Sequence, residues 1–265
     1  MNLQLEGLVA GREGRAVVGP LTGAFPGPGL HLVVGRAGSG KTTLLMTLAG
    51  FLPALSGGAR VGQEAWSAEG KVCLAFQNPE TLFFLPTVGE EVTYALRARG
   101  QPSGEAEAAG GEWLSRWGLP AQTFWGRNPL TLSGGEKRRA ALAACTVFRP
   151  PLVLLDEPLA GLDAEGQDSL LAVLAGLAAE ALVIVVTHDV EAFLPHARGL
   201  LVVGGGAGEW FGDGRLFLAA ALARPDLFPL PDWFRAAVAG LGRPPEEPPP
   251  WPTADALRSA ATHRN

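Results

Sequence analysis

Gly35-Arg36-Ala37-Gly38-Ser39-Gly40-Lys41-Thr42 is the stretch from which the fold can be read. An apolar run, Leu30–Val34, leads into it, and Thr42–Phe51 leaves it with Leu44, Leu45 and Leu48 at helical spacing. The spacing G-x-x-x-x-G-K-T between a strand and a helix makes a cradle for phosphate. Its glycines let the backbone N–H groups from Ala37 to Thr42 turn inward, and the start of the helix adds positive potential. Gly35, Arg36, Ala37, Gly38, Ser39, Gly40, Lys41, Thr42 and Thr43 are therefore the candidate nucleotide-binding residues. Lys41 is expected to reach the β/γ-phosphates of ATP, and the Thr42 hydroxyl to ligate Mg²⁺. Glycine is common in this chain, but lysine occurs only at Lys41, Lys71 and Lys137, so a chance match is improbable.

Such a cradle works with a carboxylate at the end of a buried strand. Leu152–Leu155 is fully apolar and ends in Asp156-Glu157-Pro158. Asp156 is expected to hold Mg²⁺ through water, and Glu157 to polarise the attacking water. A second apolar strand, Leu182–Val186, ends in Thr187-His188-Asp189, which puts His188 at a carboxyl strand end, where open α/β sheets bind ligands. Lys71–Phe76 reads as another strand, Leu200–Val203 as an edge strand, and Gly89–Arg97, Gly135–Phe148 and Ala164–Leu177 as helices. Continuous apolar runs separated by helices indicate a parallel sheet covered on both faces, an α/β fold.

A second cradle follows downstream. Leu132-Ser133-Gly134-Gly135-Glu136 opens the helix Gly135–Phe148, with Ser133 as N-cap and Glu136 three residues on. This stretch resembles the signature motif of ABC-type ATPases, and the other motifs follow that family's order. Phe76-Gln77-Asn78-Pro79-Glu80 is similar to its Q-loop, Ala160-Gly161-Leu162-Asp163 to its D-loop, and Thr187-His188-Asp189 to its H-loop. The resemblance spans residues 1 to about 215. It implies a P-loop NTPase with a RecA-like parallel-sheet core, an antiparallel β subdomain and an inserted helical subdomain at about 78–149. It implies catalytic roles for Glu157, His188 and Gln77, Mg²⁺ contacts from Thr42, Gln77 and Asp156, and ATP as the nucleotide. Ser133, Gly134, Gly135, Glu136 and Asp163 are then expected to contact the nucleotide of a second ATPase subunit, in a head-to-tail dimer.

Phe76–Val92 narrows the resemblance to the A component of energy-coupling-factor importers of vitamins or transition-metal ions. The partners so implied are a transmembrane coupling subunit and a substrate-capturing membrane subunit, with the chain on the cytoplasmic face of the membrane. Leu82–Leu85 reads equally as packing within the helical subdomain or as a groove for a coupling helix. Other ABC importers or exporters, non-transport ABC proteins and small-molecule kinases remain open at this point. The chain departs from the family in two respects: the segment Gly62–Lys71 is shorter than usual, and an aromatic to stack adenine is not at the usual position upstream of the phosphate loop. Phe25 is the only aromatic before Lys41, so adenine is expected to rest on Arg12 or Arg15 by guanidinium stacking.

Composition sets the outer bounds. With 47% hydrophobic residues among 265, the chain can bury a large core, and a formal charge of −5 argues against a nucleic-acid partner. Thirteen prolines precede residue 225 and nine crowd into Pro225–Pro252, so residues 1–222 are expected to form the ATPase domain and 223–265 a Pro-rich extension. Met1–Glu6 lacks the pattern of a signal peptide, and Leu170–Val186 reads as helix then strand rather than as a membrane span. Cys73 and Cys145 read as buried small hydrophobes in a reducing setting.

Overall fold

Alternation along the two apolar strands organises the whole chain. A computed structural model of the protein describes residues 1–212, 216–217 and 220–221. The expected boundary at 222 and the Pro-rich extension 223–265 lie outside the described residues. In chain order the strands and helices are β1 (Asn2–Arg12), β2 (Arg15–Pro26), β3 (Gly29–Val34), α1 (Lys41–Leu48), β4 (Ser56–Val61), β5 (Glu64–Ala65), β6 (Val72–Ala75), α2 (Val88–Ala98), α3 (Ser103–Arg116), α4 (Ala121–Phe124), α5 (Gly134–Thr146), β7 (Leu152–Asp156), α6 (Ala164–Ala178), β8 (Leu182–Val186), α7 (Val190–Phe193), β9 (Ala197–Gly204) and β10 (Ala207–Phe211).

β7 and β8 are buried at every position because successive side chains face opposite layers. Val153, Leu155, Val183 and Val185 join a cluster with the helices, including Leu142 of α5 and Leu170 and Leu174 of α6. Leu152, Leu154, Leu182, Ile184 and Val186 join another with Leu44, Leu45 and Leu48 of α1 and with Leu3, Leu5 and Leu8 of β1. The central sheet has the order β10-β9-β3-β8-β7-β6, parallel except for β10. Leu200–Val203, expected at the edge, lies one strand in from it. The two-residue turn Gly205-Gly206, with φ 58° and 79°, returns the chain as β10, which takes the edge.

The antiparallel subdomain implied by the resemblance is present as a second sheet in the order β2-β1-β4-β5. Its long strands were not placed from the sequence. Gly7, Gly11, Gly19 and Gly23 dilute their alternation, and the β1–β2 register shifts three times.

Between β6 and β7 the chain forms helices and turns and no strand. α2 buries Val88, Val92 and Leu96 at helical spacing, and Thr87 and Glu90 close a capping box at its start. α3, which the sequence reading did not place, buries Trp113 and donates its indole N–H to Thr146 Oγ1 of α5 at 3.1 Å. Leu82–Leu85 divides between its two readings. Phe83 packs against the core, whereas Leu82 and Phe84 are exposed.

Candidate nucleotide-binding site

The phosphate loop is held open by backbone that only glycine tolerates. A Cβ on Gly35 would lie 2.1 Å from Val203 O, and Gly40, at φ 97°, caps α1 against Val17 and Val18. Lys41 is buried at the first turn of α1 and its Nζ donates to Gly35 O at 2.8 Å and Arg36 O at 2.9 Å. Burial pushes its pKa down, against the opposing pull of the Glu157 and Asp156 carboxylates. Ser39 Oγ is buried in the same loop without a hydrogen-bond partner, a donor in place for a phosphate oxygen. Arg12, Val17 and residues 38–43 line a cavity of about 250 Å³ over this loop.

The sheet brings the distant carboxylates to the loop. Thr42 Oγ1 donates to Asp156 Oδ2 at 2.7 Å across 114 residues of sequence. A hydroxyl and a carboxylate oxygen at that separation form a hard-donor pair, which fits Mg²⁺. Glu157 next along sits in the left-handed region at φ 51°, its N–H bound to Val186 O of β8 at 2.8 Å. Its Oε2 accepts from the His188 backbone N–H at 3.2 Å, and its Oε1 lies 3.4 Å from His188 Nε2. Burial raises the Glu157 pKa, and the His188 hydrogen bond only partly offsets this. Glu157 and His188, named separately as candidates in the sequence, are brought together by the fold. Gln77 follows β6 and is exposed, and its side chain makes no hydrogen bond among the described residues. Its strand does run beside β7, with Ala75 paired to Leu155.

The second cradle is a separate cavity of about 460 Å³, lined by Ser133, Gly134, Gly135 and Glu136 of α5 and by Asp163 at the start of α6. Ser133 Oγ accepts from Glu136 N at 3.3 Å while Glu136 Oε2 accepts from Ser133 N at 2.8 Å. Asp163 Oδ1 caps α6 by accepting from Gly166 N at 2.9 Å. All five expected residues therefore share one cavity, distinct from that over the phosphate loop.

Two residues gain importance that the sequence reading missed or left open. Arg138, buried on α5, pairs with Glu80 at 2.8 Å and donates to Asn78 Oδ1, Pro158 O and Ala160 O. It ties the second cradle to the loops after β6 and β7. The triple Lys137-Arg138-Arg139 was the only signal for it, and a charge run ordinarily marks a solvated face. Phe25 is fully buried, edge-on to His31 and Trp210, so it belongs to the core. Of the two candidate arginines, Arg12 lines the phosphate-loop cavity and Arg15 does not.

Residues 25–160 match the family described as "ABC transporter". The chain is 35% identical over 209 residues to the energy-coupling factor transporter ATP-binding protein EcfA of Methanothermobacter thermautotrophicus, covering 73% of this chain and 67% of that protein. It is 36% identical over 176 residues to EcfA2 of Thermotoga maritima, covering 65% of this chain and 66% of that one. The solved structure of cbiO1 from Clostridium perfringens, part of the ABC transporter complex cbiONQ, superposes with a TM-score of 0.75 at 22% identity, over 84% of this chain and 93% of that chain, and shares its fold. With its phosphate loop, its paired acids and its second cradle, the chain belongs to the ABC transporter family, as an ATP-binding subunit of the energy-coupling-factor type.

Proposed function

We propose that the chain hydrolyses ATP for an energy-coupling-factor importer of a vitamin or transition-metal ion, as a head-to-tail pair with a second ATPase subunit. The observation that carries this is the presence of two phosphate-binding helix starts in separate cavities of one chain, at Gly38–Thr43 and at Ser133–Glu136. One nucleotide needs one such cradle, so the second serves the nucleotide of a partner subunit. A small-molecule kinase has no use for it. Lys41 and the loop amides bind the β/γ-phosphates, Glu157 orients and polarises the attacking water, and His188 holds the Glu157 carboxylate in place. Thr42 and Asp156, with Gln77 as the third candidate, would hold Mg²⁺, which when bound supplies charge neutralisation on the phosphate oxygens. Arg12 offers its guanidinium plane to adenine.

No helix among the described residues is long and apolar enough to cross a membrane. The transport step therefore belongs to membrane partners, a coupling subunit and a substrate-capturing subunit, with this chain against the cytoplasmic face. Exposed Leu82, Phe84 and Tyr94 beside a groove of about 330 Å³ support contact with a coupling helix there.

The direct test is Glu157→Gln. The variant should bind ATP, accumulate as a closed dimer in light scattering, and hydrolyse about 10²–10⁴-fold more slowly. Hydrolysis at the unaltered rate would falsify the assignment.

A further inference from the structure

Arg138 lines neither nucleotide cavity, yet its guanidinium reaches loops that belong to both. It stands just past the first turn of α5, five positions after Ser133. Its side chain is 3% exposed, whereas the arginines of the other ion pairs among the described residues are at least 37% exposed. Exposed pairs contribute little, and a buried arginine is costly unless its donors are met. Here they are met from two directions. Nε lies 2.8 Å from Glu80 Oε2, and Nη2 donates to Glu80 Oε1 at 3.1 Å and to Asn78 Oδ1 at 3.4 Å. From the other side, Nη1 donates to Pro158 O at 3.0 Å and Nη2 to Ala160 O at 3.2 Å.

The acceptors are neighbours of the residues assigned to the reaction. Asn78 follows Gln77, Pro158 follows Glu157, and Ala160 opens the run to Asp163, which lines the second cavity with Ser133. A guanidinium is a planar fork whose donors keep fixed directions. Groups bound to it on several sides therefore move together or lose hydrogen bonds. Arg138 and the Ser133–Glu136 cradle share the start of one helix, so a shift of the cradle is also a shift of the fork. In the head-to-tail pair proposed above, that cradle serves the partner's nucleotide, while Gln77 and Glu157 of the same chain serve its own. Resting on that pairing, we infer that Arg138 is a positioning residue that couples the two nucleotide sites. A nucleotide seated on Ser133–Glu136 sets, through Arg138, the loops that carry Gln77 and Glu157 at the other site, and hydrolysis becomes cooperative. Lysine cannot take this part, because an ammonium is a point donor and cannot span Glu80 and two carbonyls at once.

Phosphate release by the full chain is followed against ATP concentration, beside ADP binding, thermal melting and oligomeric state by light scattering. For the parent the rate should rise sigmoidally, with a Hill coefficient of about 1.5–2, the upper bound being the number of sites. Arg138→Met combined with Glu80→Gln removes the carboxylate along with the guanidinium, so it should melt nearer the parent than Arg138→Met alone. It should bind ADP within about threefold of the parent, yet hydrolyse at least about tenfold more slowly with a Hill coefficient of about 1. Arg138→Lys keeps the charge and should lose the cooperativity as well; if the double variant does not fold, Arg138→Lys decides alone. A folded variant with the parent's kcat and Hill coefficient would leave Arg138 a structural part only and overturn the inference, as would a dimeric parent whose rate rises hyperbolically. A parent that hydrolyses ATP as a monomer, or not at all, overturns the pairing itself and the inference with it.

Discussion

Glu157 combines a left-handed backbone with a carboxyl largely shielded from water. Both are costs to folding of the kind that active sites retain. Its raised pKa means that the folded chain binds this proton more tightly than the unfolded one. That stabilising contribution is complete below the ordinary carboxyl value and is lost as pH rises through the raised one. Without nucleotide, Glu157→Gln should therefore melt higher than the parent at neutral pH, and the gap should close as pH falls below the carboxyl range. Thermal scans at several pH values check this. Arg138 makes the opposite case, a charge buried with its partner. Arg138→Met leaves Glu80 unpaired and should cost about 3 kcal/mol in urea unfolding. A second change, Glu80→Gln, should recover part of that loss.

Helices α2 and α5 begin with the same device, a hydroxyl N-cap and a glutamate closing a capping box. Removing either cap should cost about 1 kcal/mol of stability. Only the α5 start lies in the second cradle, so the two variants separate structure from function. Thr87→Ala should lose stability and keep its hydrolysis rate. Ser133→Ala should lose similar stability and also hydrolyse more slowly, as urea unfolding and steady-state kinetics on both would show. The start of α5 was read in the sequence from Ser133 and Glu136, because a cap and a box are a local pattern; the same pattern at Thr87 and Glu90 was not picked out. β1 and β2 were not placed, because their pairing is bulged and their alternation is interrupted by glycine. β10 was missed for a related reason: a two-glycine turn hid a hairpin behind what looked like a terminal strand.

At the scale of the whole molecule, the proposed head-to-tail pair predicts composite sites, each with its phosphate loop from one chain and its second cradle from the other. Lys41→Ala and Ser133→Arg chains should each be inactive alone. Mixed, they should recover part of the hydrolysis, because the pair contains one site with Lys41 of one chain and Ser133 of the other intact. Recovery on titrating one variant into the other, measured as phosphate release, is the expected outcome. No recovery would argue that each chain completes its own site.

The sequence by itself determined the phosphate loop, the buried strands and the order of the motifs, because each is encoded over a few residues whose spacing dictates backbone shape and face. It also placed Asp156, Glu157 and His188 at or just beyond strand ends, which apolar runs announce. Only the tertiary structure decided which side chains meet: Thr42 with Asp156 across 114 residues, Glu157 with His188, and Arg138 with the loops after β6 and β7. The physical reason is that such contacts depend on strand order and on how helices pack over the sheet. Those are set by the summed burial of the whole chain, and no local pattern records them.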